Sequence, residues 1–572
     1  LPFCLDVFFC RKEFYYSKIL NLLFFLFSLF IVTSFFSINP YWSLLLSAIY
    51  FLYLLLTLTS ANVFFIYKSL FDKYLSFLTF FGLISALFGL YQYSFYMIQG
   101  PSDGFLIPYF LPHIKSLRVT GFYGQPNLFS VFLIVIILSY FYKYSSVDNL
   151  NLPGIFCFFK YFPFFVVSYV FFLTGSRAGT LSLLLIIAFM VVLVLQKRLF
   201  CSELFESKEF WTLVLVLICA FSVYRLQPFI FSDSSFSPRA LSAVGTGIDV
   251  RFLLWMSSFL IFFDNFLFGT GLGTFGLVQD SYALLARDLL GFVPYEAMSN
   301  TDWAHNELFQ LFAETGFLGG GLCIVLLIYY FYSFLKLLVG NRGGLDKKVF
   351  FIHLFIFPFI FQSMFSWVLR SPQLLVLFFV FLGIFLANND LIKIKFGETQ
   401  KKLVFFASTV GLFLTCLLFS YELSIGKFRE EVLSAVQVSD TLQEMNNLVD
   451  NPYSSYRVMS KVLPHYAKLT LAAEDVAFAK QIIPLYIRLV SFEGSRWQWY
   501  DLARLYLLDG RESEARGAIE EAIDLMPSDN LTWSFLHYLN MLEASRNTGR
   551  PLESFWPQGD VLDFSKMELS ND

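Results

Sequence analysis

The sequence predicts an all-α fold: a polytopic membrane helix bundle with a large outer loop and a separate helical tail. Three observations predict it. The 572 residues are 57% hydrophobic and 20% aromatic, with 76 phenylalanines and a mean hydropathy of +0.64, more apolar surface than a soluble domain can bury. Apolar runs long enough to cross a bilayer, about 20 residues each, recur along the chain. After about residue 422 the composition changes to mixed polar helix.

The runs fall near 19–38, 41–59, 74–98, 127–142, 155–173, 179–196 and 210–224, then near 317–338, 349–369, 373–389 and 402–421. They predict about 11–12 spans. The run 252–268 is short, contains Asp264 and Asn265, and is expected to lie along the membrane surface. Lysine and arginine set the orientation. Arg11, Lys12 and Lys18 precede the first span; Lys68 and Lys73, Lys143 and Lys160, Lys347 and Lys348, and Lys393 and Lys395 fall on the same side. That side is read as the cytoplasm, which makes the N-terminus cytoplasmic, and an odd number of spans sends the tail outside. The chain thus divides into a membrane domain, 1–421, with an outer loop at about 225–316, and a helical domain, 422–572. The seven cysteines form neither a disulfide framework nor a metal-binding spacing. The first residues lack the pattern of a cleavable secretory signal. The net charge of -3 says little, because its distribution matters more than its sum.

The outer side receives the constellations that look chemical: 101–127, the turn 174–179 and the loop 225–316. Five arginines there run against the topological bias: Arg118, Arg177, Arg239, Arg251 and Arg287. Each is expected to have a local partner. Of five histidines, only His113 and His305 lie in outer loops. His305 stands in Ala304-His305-Asn306-Glu307-Leu308-Phe309-Gln310, a run that continues to Glu314-Thr315-Gly316. With a helix starting near 303 and Asp302 as its cap, His305 falls in the first turn, facing the loop, while Leu308, Phe309, Leu311 and Phe312 pack. Imidazole is the natural general base near neutral pH; the alternative is a structural histidine.

Thr174-Gly175-Ser176-Arg177-Ala178-Gly179 joins two spans by a tight turn. Its glycines permit close approach, and the Arg177 fork suits phosphate oxygens; the alternative is a snorkelling interfacial arginine. Arg251 heads a helix with Trp255 four residues on, and a stacked structural pair is the alternative there. That helix ends in Gly269-Thr270-Gly271-Leu272-Gly273, which follows no strand and so does not read as a dinucleotide site. Gly124-Gln125-Pro126-Asn127 opens the fourth span. Gln125, with Tyr123 beside it, is placed to hydrogen-bond a sugar or an acceptor; Pro126 and Asn127 also read simply as helix-start residues. In the tail, Trp499, Leu502, Ala503, Tyr506, Ala515, Ala522 and Pro527 stand at the offsets of a tetratricopeptide (TPR) repeat, with Gly510 in the turn. One repeat cannot bury its own face, so helices from about 428 to 490 should stack on it.

Taken together, TGSRAG, the arginine–tryptophan helix ending in GTGLGTFG, and AHNELFQLFAETGFLG resemble the bacterial O-antigen ligase and polymerase superfamily, over roughly residues 74–390. GQPN and the helical-repeat tail make the chain look most like the protein O-oligosaccharyltransferases of the pilin-glycosylating type. The resemblance implies a multi-pass protein of the bacterial inner membrane with a periplasmic loop and tail. It implies a donor glycan on undecaprenyl pyrophosphate, attacked by a serine or threonine hydroxyl of a periplasmic acceptor protein such as a pilin. Carried over by motif, Arg177 and Arg251 bind the pyrophosphate, His305 activates the acceptor, and Gln125, Tyr123, Asn306 and Glu307 contact substrate. The donor is already activated, so no nucleotide or other cofactor is expected. No metal and no nucleic acid are expected either; the remaining partners are membrane lipids. In one place the chain departs from the pattern. Protein-transferring members often carry Glu-Tyr-Pro in the span after the loop, whereas here the stretch runs Gln362-Ser363-Met364-Phe365-Ser366-Trp367, with Trp367 at the tyrosine position.

Two neighbouring readings stay open, a ligase acting on lipid A core and an O-antigen polymerase. A transporter of lipid-linked sugars is a different class. It should place polar residues at the bilayer midplane in broken helices, whereas these spans are nearly pure Phe, Leu, Ile and Val, with the polar groups gathered at one face.

Overall fold

The computed structural model describes residues 13–99, 118–144, 154–195, 208–230, 245–291, 301–340, 346–388, 392–395, 455–491, 495–525 and 530–551. His113, Arg239, Pro527, the run 402–421 and the boundary at 421/422 lie outside the described residues.

The chain is an all-α bundle, as its composition requires. In order come α1 (Lys18–Ser34), α2 (Pro40–Ile66), α3 (Leu70–Gln99), α4 (Pro126–Tyr144), α5 (Gly154–Leu173), α6 (Arg177–Leu195), α7 (Lys208–Ile230), α8 (Gly245–Asp264), α9 (Phe275–Leu290), α10 (Glu307–Gly340), α11 (Lys347–Ser363) and α12 (Pro372–Ala387). Ten of the expected spans coincide with ten of these helices, and the run read as interfacial falls on α8.

Five helices are long and apolar enough to cross a membrane by length and composition: Pro40–Ile66, Leu70–Met97, Pro126–Tyr144, Glu209–Leu226 and Glu307–Val339. Ile19–Ser34, Lys160–Leu173, Arg177–Val192 and Pro372–Ala387 are apolar but shorter. At 1.5 Å rise per residue such helices are several ångströms short of a hydrocarbon core of about 30 Å, so they complete a crossing only with their flanking residues. The protein is a multi-pass membrane protein.

One element has no precedent in the apolar pattern. Strands β1 (Glu13–Tyr16) and β2 (Ile392–Lys395) pair antiparallel, Glu13 opposite Lys395 and Tyr16 opposite Ile392. Asn62 ties the ribbon to α2, accepting from the Tyr15 N–H and donating to the Tyr15 carbonyl at 2.9 and 3.0 Å.

Helix α4 is the axis of the bundle. Every residue from Leu128 to Phe141 is buried, and Gly82 of α3 is in such close contact that a Cβ there would lie 2.6 Å from Ile136. The two ends of the bundle differ chemically. At one end sit lysines: Lys160 bonds Glu209 at 2.7 Å, and Lys347 and Lys348 lie over Tyr142 and Phe71. The other end gathers the sequence motifs.

The tail has its own apolar core, centred on Tyr466 and Tyr486. Its helices are α13 (Ser455–Ala473), α14 (Val476–Val490), α15 (Arg496–Leu508), α16 (Glu512–Leu525) and α17 (Asn530–Thr548). The α15–α16 hairpin turns at Gly510 (φ +77°) and buries Leu502, Ala503, Tyr506, Ala515 and Ala522. These are the small and aromatic positions expected to let two helices approach. Helices α13 and α14 stack on α15, as expected of the segment before it.

Candidate functional site

The motifs lie far apart in sequence and are brought together in groups, by side chains in one place and by backbones in another. The turn 174–179 is clamped to the start of α4 by Arg118, which donates to the Thr174 carbonyl at 2.9 Å and to the Asn127 side-chain oxygen at 3.0 Å. The Val119 N–H donates to the Leu173 carbonyl. Gly179 abuts Ser130 so closely that a Cβ would sit 2.6 Å from its hydroxyl, and that hydroxyl bonds Gln362 of α11 at 3.1 Å. Close approach is therefore what the glycine contributes.

The glycine-rich turn after α8 has an equally mechanical role. Helix α10 breaks at Gly316 (φ 64°, ψ -163°), which frees carbonyls and N–H groups from the helical ladder. The segment 266–271 takes them up: Thr270 and Gly271 donate to the Ala313 and Glu314 carbonyls, and Phe317 and Leu318 donate to those of Phe266 and Leu267. Trp42 Nε1 and the Ser43 hydroxyl of α2 hold the far side, donating to the Gly273 and Leu272 carbonyls. A phosphate cradle would leave its N–H groups pointing outward, whereas Thr270 and Gly271 direct theirs at α10.

His305 precedes α10 in a left-handed conformation, φ +53°, which costs a non-glycine residue about 1–3 kcal/mol. The expected helix start near 303 with an Asp302 cap is corrected. The cap is Asn306, whose side-chain oxygen accepts from the Leu308 and Phe309 N–H groups, both at 3.1 Å. An Asx oxygen satisfies two orphan donors there, so the helix begins at Glu307. His305 thus sits on the turn outside the helix. Its Nδ1 is buried with no hydrogen-bond partner.

Arg251 on α8 lies within reach of this imidazole by its charge, and Arg177 at the start of α6 lies within reach of Arg251. Burial lowers the pKa of Arg251, and the charge of Arg177 lowers it further. Burial likewise lowers His305, with the charge of Arg251 adding to it, to about 4. The electrostatics thus run Arg177 to Arg251 to His305, three groups from three separate segments. Arg118 has Asn127 and Thr174, and Arg287 has Asp288 at 2.5 Å. Among the described residues neither Arg177 nor Arg251 has an ion-pair partner. The alternative of a stacked Arg251–Trp255 pair does not form among the described residues: Trp255 packs edge-on against Phe252 and Phe309.

The remaining expected residues divide. Gln125 lies beside the Arg118 clamp, half-buried, its side chain without a hydrogen-bond partner among the described residues. Tyr123 turns inward and stacks on Phe129 and Phe132, centroids 5.8 and 5.3 Å away. Asn306 is committed to its capping role. Glu307 accepts from Arg370 Nε at 3.0 Å. Trp367 stacks on Trp303, two residues before His305.

Arg370 escaped the sequence reading. It lies in the short 3-10 turn Val368–Arg370 and bonds Glu307 and, at 2.8 Å, Glu314. Burial alone would lower its pKa, but Glu314, Tyr50 and Glu307 outweigh burial and raise it. The available signal was an arginine beside a span in a chain whose outer arginines are few. Among the described residues no group of three or more His, Cys, Asp or Glu is arranged to hold a metal ion.

With this geometry in place, the comparison with known families is specific. Residues 162–325 match the family model described as O-antigen ligase. The match takes in the Arg177 turn, Arg251, the glycine-rich turn and His305. It supports the O-antigen ligase superfamily and indicates glycan transfer of the O-antigen ligase kind, from a lipid-linked donor in a membrane setting. No curated protein matches the chain.

Proposed function

We propose that this protein transfers a glycan en bloc from undecaprenyl pyrophosphate to serine or threonine hydroxyls of periplasmic proteins. The observation that carries the reading is the succession Arg177, Arg251, His305: two arginines without ion-pair partners among the described residues, the charge of Arg251 bearing on the neutral imidazole and that of Arg177 on Arg251. In this scheme the arginines bind the pyrophosphate and neutralise the charge that grows on it as it departs, in a site partly screened from water. His305 takes the proton of the acceptor hydroxyl, a contribution of about 10²–10⁴ in rate. The hydroxyl oxygen bonds to the anomeric carbon as the bond to the pyrophosphate oxygen breaks, and the configuration inverts. Gln125 orients the sugar from the neighbouring turn. Tyr123, Asn306 and Glu307 are proposed as further substrate contacts; in the free protein Tyr123 packs on Phe129, Asn306 caps α10 and Glu307 pairs with Arg370.

The membrane domain, 1–421, would hold this chemistry at the periplasmic face of the inner membrane, with a cytoplasmic N-terminus. The helical tail, 422–572, would receive the acceptor, a pilin or another periplasmic protein; its stacked hairpins support a protein acceptor. The family description supports a second reading, transfer of O-antigen to lipid A core. One experiment separates them: wild type and His305→Ala, at equal membrane expression, in a glycan-producing bacterium lacking its own ligase. Glycan on a periplasmic serine or threonine, lost in the variant, is the expected result. Glycan on lipid A core reassigns the acceptor, and transfer that survives in His305→Ala removes the base.

A further inference from the structure

His305 is held by its neighbours alone. Its ring makes no hydrogen bond among the described residues, and its backbone sits in the left-handed region at φ +53°. The turn around it is pinned at three points. Gln310 Nε2 donates to the Asp302 carbonyl at 3.3 Å, and Gln310 Oε1 accepts from the Ala304 N–H at 3.0 Å. Asn306 fixes the other flank as the helix cap. Gln310 is only 1% exposed and Glu314 is fully buried, so neither side chain reaches a substrate at the surface.

Behind Gln310 stands a second layer. Its Nε2 also donates to Glu314 Oε1 at 2.8 Å, and Arg370 holds the other oxygen of Glu314. Arg370 lies over the Trp303 ring, 5.8 Å from its centroid, so the same guanidinium touches the turn directly and through Glu314 and Gln310. We propose that Gln310, Glu314 and Arg370 are positioning residues that hold the Asp302–Asn306 turn in the conformation that keeps His305 buried within reach of Arg251. The role assigned to this device rests on the reading of His305 as acceptor base.

The device sets where the imidazole sits and therefore which charges act on it. The charge that acts on it is that of Arg251 on α8, which Arg177 on α6 in turn affects; the neighbouring carboxylates are Glu307, paired with Arg370, and the exposed Asp302 on the same turn. Releasing the turn lets the ring move away from Arg251 and into water. Burial and the Arg251 charge, which depress its pKa, then both weaken in a protein that remains folded.

The test uses the full-length protein in nanodiscs with ¹³C-labelled histidine. The His305 resonance is assigned as the one absent from His305→Ala and followed through a pH titration. In wild type its midpoint is expected at about 4. In Gln310→Leu its midpoint is expected to rise by more than one unit toward the free-imidazole value of about 6.5. In the same variant kcat falls tenfold or more at unchanged donor KM, since a misplacement of about 1 Å can cost 10²-fold. Arg370→Lys, which keeps the charge and loses the fork, should show a smaller shift in the same direction. Gln310→Met, close in size and uncharged, replaces Gln310→Leu if the latter does not accumulate folded. A titration midpoint unchanged in these variants overturns the proposal. A raised midpoint with unchanged kcat keeps the positioning role and removes His305 as base.

Discussion

The indole of Trp367 stacks on that of Trp303, ring centroids 5.5 Å apart and planes 16° from parallel. This contact joins the stretch after α11 to the turn that carries His305. A second junction beside it is ionic, from Arg370 to Glu307 and Glu314 of α10. Trp367 therefore has a structural reason to be aromatic. A stacked pair contributes about 0.5–1.5 kcal/mol beyond its burial. Trp367→Ala is expected to lower glycan transfer several-fold at equal expression, and Trp367→Phe to keep most of it. Wild-type rates in Trp367→Ala would show that the turn is held without this stack.

The pH dependence of transfer should differ between free and donor-bound enzyme. In the free protein burial and Arg251 hold the His305 pKa at about 4, so the ring is neutral, and competent as a base, above that pH. The limb of kcat/KM is expected to rise as pH increases through 4 and then to level off. A bound pyrophosphate places negative charge against Arg251 and offsets its field. The limb of kcat, which reports the complex, should then lie at higher pH than that of kcat/KM. Coincident limbs would mean that the bound diphosphate does not face Arg251.

Substituting the two arginines should separate their roles. Arg177→Ala removes a charge that bears on Arg251 and is expected chiefly to raise the donor KM. Arg251→Ala does that too, and also raises the His305 midpoint, because its charge is the one that acts directly on the imidazole. Full kinetics of both variants with a purified lipid-linked donor decide the matter. Equal limbs in the two variants would contradict the order Arg177, Arg251, His305.

Much of the bundle could be read from the sequence because apolar runs are a local signal. The run near 127–142 forms α4 almost residue for residue, and TGSRAG, Arg251 and His305 stand out by residue type and local pattern alone. What escaped depends on pairing across distance. The α10 start was misplaced because Asp302 and Asn306 both suit a cap, and only the two N–H groups reaching Asn306 choose between them. Arg370 showed no partner in its own neighbourhood; Glu307 and Glu314 lie 63 and 56 residues before it. The pairing of β1 with β2 joins residues near opposite ends of the membrane domain, beyond any local periodicity. Tyr123 was chosen for its neighbours in GQPN, yet its ring turns into the bundle, a rotamer choice that spacing does not encode.

The glycine-rich turn provides a test of assembly that is separate from chemistry. Gly271 has φ +108°, and a Cβ there would lie 1.8 Å from the Ser37 hydroxyl and 2.6 Å from that of Ser43. Those hydroxyls bond each other at 2.7 Å, and Ser43 also holds the Leu272 carbonyl, so neither can yield freely. Gly271→Ala therefore combines a disfavoured backbone, about 1–3 kcal/mol, with overpacking, about another 1–3 kcal/mol. Gly124 makes the control: its φ is +67°, but nothing lies within 4 Å of its Cβ position, so Gly124→Ala meets only the backbone cost. The expected outcome is a clearly lower thermal transition for Gly271→Ala in detergent, with transfer lost in parallel as the Glu314 segment shifts, and a smaller drop for Gly124→Ala. Equal transitions in the two variants would mean that α2 and the turn part readily, and the glycines would then need another explanation.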